Sequence, residues 1–267
     1  MVQLATFQAV VDTGSFEAAA RQLHVTPSAV SQRIKALESA VGQVLVRRAK
    51  PCVATPAGEA LVRFAGQVEL LEREALAQAR DGTRVSIVVN ADSLDTWFLP
   101  ALAAVPGPTY ELHTDDQDYT ADLLRSGTAM AAVTAEHVAV QGCRLERLGS
   151  MRYLPVGRGD LDSPMIVYNR KDRLQHRFLA SLRRRTEPPI HYVPAAAAFV
   201  EAIRLGLGWG MVPSQTALPG IAAGHYRQLI PDKYLDVPLY WQYWKIESTV
   251  LKDITAAVKA AAAANLT

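Results

Sequence analysis

Ser15-Phe-Glu-Ala-Ala-Ala-Arg-Gln-Leu-His-Val-Thr26-Pro-Ser-Ala-Val-Ser-Gln-Arg-Ile-Lys-Ala-Leu-Glu38 sets a helix of small residues, a tight turn and an amphipathic second helix in succession. That is the layout of a DNA-reading helix-turn-helix. Thr26 is an N-cap residue and Pro27 takes the first helical position, so the second helix has a defined start. Val30, Ile34, Leu37 and Val41 fall on one face at helical spacing, and Ser28, Ser31, Gln32, Lys35 and Ser39 largely on the other. Hydroxyl, amide and cationic groups in front of an apolar back suit a helix that packs on a neighbour and reaches base edges. An ordinary surface helix shares this periodicity. Ala18-Ala19-Ala20 and Leu23 favour the DNA-reading form, because two steeply crossing helices need small side chains at their contact.

Three helices are expected at this end, near 2–12, 17–23 and 27–40, followed by a short wing from Leu45 to Thr55. Arg47, Arg48 and Lys50 lie in the wing, placed to meet backbone phosphates. Residues 1–58 carry six Lys/Arg against three Asp/Glu, whereas residues 81–267 hold nineteen of each sign. The net charge of +2 therefore hides a cationic head where phosphate attraction is needed. One such head is a modest polycation, which predicts two heads acting on one double-stranded site. The expected DNA contacts are Thr26, Ser28, Ser31, Gln32, Arg33, Lys35, Arg47, Arg48 and Lys50.

Pro56 and Gly58 open a long helical run, about 57–80. Leu61, Phe64, Val68, Leu71, Ala75 and Ala79 form one stripe, with Arg63, Glu69, Glu72, Arg73 and Glu74 expected on the outward face. At about 1.5 Å per residue such a helix spans roughly 35 Å. Its apolar stripe is most simply a dimerisation element; packing on the chain's own second domain is the alternative.

Leu4, Phe7, Gly14-Ser15-Phe16, Ala19-Ala20, Leu23, Ala29-Val30-Ser31, Ile34, Leu37-Glu38, Gly42, Leu45 and Arg47 together resemble the amino-terminal pattern of the LysR-type transcriptional regulators. Leu45-Val46-Arg47-Arg48 stands where that family usually has Leu-Phe-x-Arg, a conservative apolar change. The resemblance implies a winged helix-turn-helix and a linker helix that pairs across a homodimer, with a tetramer as the larger assembly. It also implies a carboxy-terminal effector domain of two periplasmic-binding-protein-like subdomains, and RNA polymerase as a further partner.

Past residue 83 the pattern changes. Val85-Ser86-Ile87-Val88-Val89 is a short β-branched run, as expected of a strand buried on both faces. Strands are expected at 109–114, 129–134, 152–156, 164–168, 190–193, 209–213 and 238–244, and helices near 95–104, 117–127, 173–185, 196–206 and 248–264. Such alternation argues for an α/β domain with mainly parallel sheets. The expected organisation is an all-α winged helix-turn-helix over 1–58, a linker helix over 59–82 and an α/β regulatory domain over 83–267. Within the last, subdomain I covers about 84–156 and 236–267, and subdomain II about 157–235, around a cleft.

Ligands of open α/β sheets bind beyond the carboxyl ends of strands, where helix amino termini offer N–H groups. This rule selects Asn90–Trp97, Thr134–Glu136, Tyr168–Asp172 and Pro194–Ala198. Here Ala91-Asp92-Ser93-Leu94, Thr96-Trp97 and Leu99-Pro100-Ala101-Leu102 resemble the ArgP/LysG (IciA-like) subgroup of the family, as does Gln67-Val68-Glu69-Leu70-Leu71-Glu72. That resemblance implies an activator of an amino-acid exporter gene, with L-lysine, L-arginine or L-histidine as effector. Such a ligand has a carboxylate, which Ser93, Thr96, Thr134 and the amides of Ala196 and Ala197 could bind. It has cations for Asp92, Asp95, Glu136 and Asp172, and a tail that Trp97 or Tyr168 could cover. Each has a plainer role available, as helix cap or core side chain.

Composition excludes several other classes. Hydrophobic residues make up 49% and charged residues 20%, and no apolar run approaches the length needed to span a bilayer. Met1 leads straight into an amphipathic helix without a basic start and apolar run, so a cytoplasmic protein without a membrane partner is expected. Cys52 and Cys143 stand alone, and the six histidines lack ligand spacing, so neither metal nor cofactor is expected. Gly206-Leu-Gly-Trp-Gly210 follows a helix and precedes a strand, the reverse of a phosphate-binding loop. No enzyme motif appears. The remaining alternative is an architectural DNA-binding protein without small-molecule control.

Overall fold

A computed structural model describes residues 2–77, 83–114, 120–184 and 187–267. The last residues of the expected linker helix, 78–82, and the first of the expected 117–127 helix lie outside the described residues.

Helices α1 (Val2–Thr13), α2 (Phe16–Gln22) and α3 (Pro27–Val41) form the amino-terminal head. Ser15 Oγ accepts the Ala18 N–H at 3.3 Å, and Thr26 Oγ1 accepts the Ala29 N–H at 3.2 Å. Each cap satisfies a donor its helix cannot pair internally. Phe7, Val10, Ala19, Ala20, Val30 and Ile34 pack into one buried cluster. Val41, expected on the packed face, is exposed; as the last residue of α3 it extends past the buried cluster. Strands β1 (Val46–Arg47) and β2 (Val53–Ala54) pair antiparallel as the wing. Glu38 Oε1 accepts the N–H of Leu45 at 2.9 Å and of Val46 at 3.3 Å, tying the wing to α3. The Cys52 N–H donates to Gly14 O at 2.7 Å, tying it to the α1–α2 turn.

Helix α4 (Pro56–Ala77) leaves the head. Val62, Ala65 and Leu70 are buried, whereas Phe64 and Leu71 are 53% and 39% exposed. Of the expected outward charged face, Glu72 is exposed, and the Arg73 side chain lies outside what is described; Arg63, Glu69 and Glu74 are engaged instead. Arg63 donates to Arg125 O at 2.6 Å, Gln8 donates to Glu69 at 3.5 Å, and Glu74 accepts from residues 248–250. These charges satisfy polar groups of the flanking domains, and apolar Phe64 and Leu71 are left facing out.

The regulatory domain starts with β3 (Arg84–Val89), α5 (Ala91–Ser93), a π-type turn over Leu94–Phe98 and α6 (Leu99–Ala103). β4 (Thr109–Thr114), α7 (Thr120–Arg125) and β5 (Ala131–Thr134) follow. β6 (Cys143–Gly157) carries the chain into a second lobe of β7 (Met165–Val167), α8 (Leu174–Ser181), β8 (Ile190–Tyr192) and α9 (Ala196–Arg204). That lobe continues through β9 (Trp209–Pro213), α10 (Ser214–Ala222) and β10 (Arg227–Gln228). β11 (Leu235–Trp244) and α11 (Thr249–Asn265) return to the first lobe.

The strand order is β4-β3-β5-β11-β6-β9-β7-β8, with β10 beside β6. Pairs β3–β4, β3–β5, β7–β8 and β7–β9 are parallel, but β11 and β6 run antiparallel to each other and to β5, β9 and β10. The sheet is therefore mixed rather than mainly parallel, because both crossings between lobes are made by long strands. β6 changes partners at Tyr153, which aligns with Leu235 of β11 and with Pro213 of β9. The amino-terminal half of β6 was not expected as strand, and α10 was not expected at all. Charged Arg144, Glu146 and Arg147 disguise the first, and Pro219 inside α10 disguises the second. Trp97, Phe98, Trp241 and Trp244 lie fully inside the core over which α11 packs.

Candidate functional site

Ser28, Gln32, Lys35, Arg47, Arg48 and Lys50 are all exposed on the head, and Thr26 is exposed at the start of α3. α3 and the wing thus present amide, hydroxyl and cationic groups together. Arg48 lies over the Phe16 ring at 4.8 Å from its centroid, a cation–π contact that holds the guanidinium in place. Two expected contacts are less available. Ser31 is half-buried. Arg33 turns back to α1, where its Nη1 donates to Thr6 Oγ1 at 3.4 Å.

Between the lobes lies a cleft of about 670 Å³, within the range of small-molecule sites. From the first lobe Asn90, Asp92, Asp95 and Thr96 line it; Tyr153 lines it from β6. The second lobe contributes Tyr168, Asp172, Arg173, Gln175, Arg177 and the start of α9 at Ala196 and Ala197. The wide turn over 94–98 presents Asp95 and Thr96 to the cleft and sends Trp97 and Phe98 into the core. Such π-type turns recur at functional sites.

Asp92 carries a perturbed carboxyl in the cleft. Burial raises its carboxyl to about 6, a hydrogen bond from Tyr153 works against the rise, and Asp172 and Asp95 add to it. Two carboxylates of the cleft thus raise Asp92, while Lys171 is a cation in the same lining. Arg173 and Arg177, one turn apart at the start of α8, line the cleft and form no ion pair among the described residues. The N-cap of α9, Ala195, offers no side-chain hydrogen bond to its first N–H groups.

Of the expected effector contacts, Asp92, Asp95, Tyr168, Asp172, Ala196 and Ala197 come together in the cleft. Asp172 is already engaged, its Oδ2 accepting the Tyr168 N–H at 3.1 Å and its Oδ1 the Leu174 N–H at 2.9 Å. Four others lie outside the lining. Ser93 is wholly buried, and Trp97 packs edge-on to Phe98 with ring centroids 5.6 Å apart. Thr134 is buried, its Oγ1 accepting the Glu136 N–H at 3.0 Å; Glu136 lies beyond it. Helical rotation places 93 and 97 one turn apart on the core face, so 92, 95 and 96 are left for the cleft. Sequence reasoning placed Asn90 in a selected segment without giving it a role, and missed Tyr153, Arg173, Gln175 and Arg177. The start of α8 beside Asp172 carried a signal for Arg173 and Arg177, but Tyr153 is one alternating position of a long strand.

A winged helix-turn-helix carried by a long helix from a two-lobed α/β domain with a polar cleft defines a DNA-binding regulator with its own sensory domain. The chain belongs to the LysR family. Residues 1–59 match the bacterial regulatory helix-turn-helix protein of that family, and residues 78–259 match the LysR substrate binding domain. The chain is 44% identical over 290 residues to the lysine export transcriptional regulatory protein LysG of Corynebacterium efficiens, covering 99% of this chain and 98% of that protein. The crystal structure of ArgP from Mycobacterium tuberculosis aligns with a TM-score of 0.92 at 46% identity, over 100% of this chain and 98% of that one. Full-length LysG from Corynebacterium glutamicum with bound effector Arg aligns with a TM-score of 0.86 at 40% identity, over 99% and 98%. The protein is accordingly a LysR-type transcriptional regulator and not an enzyme. Among the described residues, no helix is long and apolar enough to cross a membrane.

Proposed function

We propose that two or four copies of the chain bind a pseudo-palindromic promoter through their winged heads and activate an amino-acid exporter gene when a basic amino acid occupies the cleft. L-lysine, L-arginine and L-histidine are the candidate effectors, and RNA polymerase is the partner through which transcription would respond. The observation that carries this reading is Asp92, a half-buried carboxylate on the cleft wall whose carboxyl is raised in part by Asp95 and Asp172 in the same lining. A ligand cation placed among these carboxylates would relieve their mutual repulsion. In this reading Asp92 and Asp95 take the ligand's cation, while Arg173, Arg177 and the amides of Ala196 and Ala197 take its carboxylate. The relatives support it, since one is named for lysine export and another is recorded with bound Arg. The proposed units are a head over 1–58, a linker over 59–82 and a sensory domain over 83–267. Its lobes take 84–156 with 236–267, and 157–235. DNA contact is assigned to Thr26, Ser28, Gln32, Lys35, Arg47, Arg48 and Lys50.

Calorimetry of the full chain against the twenty amino acids, with citrulline and norleucine as uncharged counterparts, tests the effector assignment. Binding of lysine, arginine or histidine without binding of citrulline or norleucine supports it. Equal binding of citrulline and arginine, or no binding by any of the three, overturns it.

A further inference from the structure

Glu74, near the end of α4, reaches the first turn of α11 across more than 170 residues of sequence. Its Oε1 accepts the Ser248 hydroxyl and, at 3.2 Å, the Val250 N–H; its Oε2 accepts the Thr249 N–H at 3.3 Å. Ser248 Oγ in turn accepts the Leu251 N–H at 3.1 Å as the N-cap of α11. A capping box is ordinarily closed by a Glu or Gln at the third helical position of the same helix. Here that position is Leu251, buried in the core, and the linker helix supplies a carboxylate to the next two free amides, those of Thr249 and Val250. An anion at this end also complements the dipole of a seventeen-residue helix.

Two further contacts fix the same face of α4 to the first lobe. A Cβ on Gly66 would come 2.7 Å from the Trp244 ring, so glycine is what lets the helix lie against the end of β11. Arg63 holds Arg125 O on the next segment. α11 also packs on α6 and on the 94–98 turn, the segment that carries Asp95 and Thr96 into the cleft. A continuous path of packed elements thus runs from the cleft wall through α11 to the linker helix, and Gln8–Glu69 continues it to α1 of the head.

We infer that Glu74 is a positioning residue that latches the linker helix to the first lobe, so that movement of that lobe on ligand binding is passed to the DNA-reading heads. The transmission part rests on the cleft reading above; the latch itself does not. Coupling of this kind needs an element that both sites bias, and the bond between Glu74 and α11 is a polar contact that joins the linker helix to the first lobe, beside that of Arg63.

The test uses full-length Glu74→Ala, Glu74→Gln and Ser248→Ala proteins, none altered in the cleft. Small-angle scattering without ligand reads the latch: Glu74→Ala and Ser248→Ala should change the radius of gyration at unchanged oligomeric state. Amide exchange at 249–251 should quicken. Calorimetry should give arginine affinities within about twofold of the unaltered protein, while the arginine-dependent change in the operator footprint is lost in Glu74→Ala and retained in part in Glu74→Gln, which keeps its acceptor oxygen. Unaltered scattering and exchange would overturn the latch. A full footprint response in Glu74→Ala would overturn the transmission. If the unaltered protein binds no amino acid, the cleft reading fails, and scattering and exchange still decide the latch. Should Glu74→Ala fail to fold, Glu74→Gln and Ser248→Ala carry the same readouts.

Discussion

Tyr153 donates its hydroxyl to Asp92 Oδ2 at 2.7 Å, from the residue at which β6 passes from β11 to β9. The bond thus joins the first-lobe wall of the cleft to the strand that connects the lobes. Burial pushes the Tyr153 phenol well above its ordinary value, and the Asp92 charge adds to this, so it remains the donor at any physiological pH. Asp92, raised to about 6, is mostly ionised at neutral pH yet held there against its surroundings. That is the state in which a cation entering the cleft gains most.

Effector binding should therefore depend on pH in one direction. A cation favours the carboxylate, so binding below about 6 must release the Asp92 proton. Affinity for arginine should be flat above about pH 7 and fall towards tenfold per unit below the Asp92 value. Calorimetry from pH 5 to 8, in buffers of different ionisation enthalpy, reads both the affinity and the released proton. Asp92→Asn should bind arginine weakly and lose this slope. A wild-type slope that survives in Asp92→Asn would assign it to another group.

The same carboxyl should lower the stability of the ligand-free protein. Its folded value lies above its unfolded value near 3.8, so the folded state binds the proton more tightly. The stabilisation this gives is complete below the unfolded value and is lost as pH rises to about 6. At pH 7 ligand-free Asp92→Asn should be more stable than the unaltered chain, by on the order of 1–3 kcal/mol, with the difference shrinking towards pH 4. Thermal unfolding at the two pH values checks it. A less stable Asp92→Asn at pH 7 would mean that the Tyr153 bond outweighs desolvation.

The sequence was most legible where a residue's role is local. Thr26 caps the helix that follows it and small residues meet where α2 and α3 cross, so the head could be read from a few dozen residues, whereas the Ser15 cap and the Glu38 tie to the wing emerge from the structure. The α/β alternation was equally plain, because β-branched runs such as Val85–Val89 are buried on both faces. The cleft was half legible. Helix starts pointed to Asp92, Asp95 and Ala196, but one residue of rotation separates Asp92 from buried Ser93, and a π-type turn settles which side chains face in. Tyr153 and Glu74 were illegible as partners, since each acts on a group 61 or more residues away.

On the head, Gln32 and Arg48 should separate by kind of effect. Arg48 is exposed, stacked on Phe16 and flanked by Arg47 and Lys50, the setting of a phosphate contact. Arg48→Ala should weaken binding to every duplex and lower the salt slope by about one. Gln32 is exposed on the front of α3, where an amide reads base edges. Gln32→Ala should relax preference at particular base pairs with little change in salt slope. Gel shifts on operator and scrambled duplexes at several salt concentrations distinguish these outcomes, and an unchanged base preference in Gln32→Ala would mean that α3 docks by another face.

Phe64 and Leu71 lie two helical turns apart on the side of α4 that its own chain leaves uncovered. Arg63, Glu69 and Glu74 are drawn to neighbouring segments, which leaves Phe64 and Leu71 on an outward side that also carries exposed Glu72. Exposed apolar residues at i and i+7 form a seam that a second copy of the helix would cover. Phe64→Glu with Leu71→Glu would place four carboxylates on that seam in a dimer. The expected product is a folded monomer by sedimentation, with unchanged far-ultraviolet circular dichroism. It should bind a single half-site as before but lose the tighter binding to a double site, because only the link between two weakly cationic heads has been removed. A doubly substituted chain that still sediments as the unaltered protein does would place the dimer contact elsewhere.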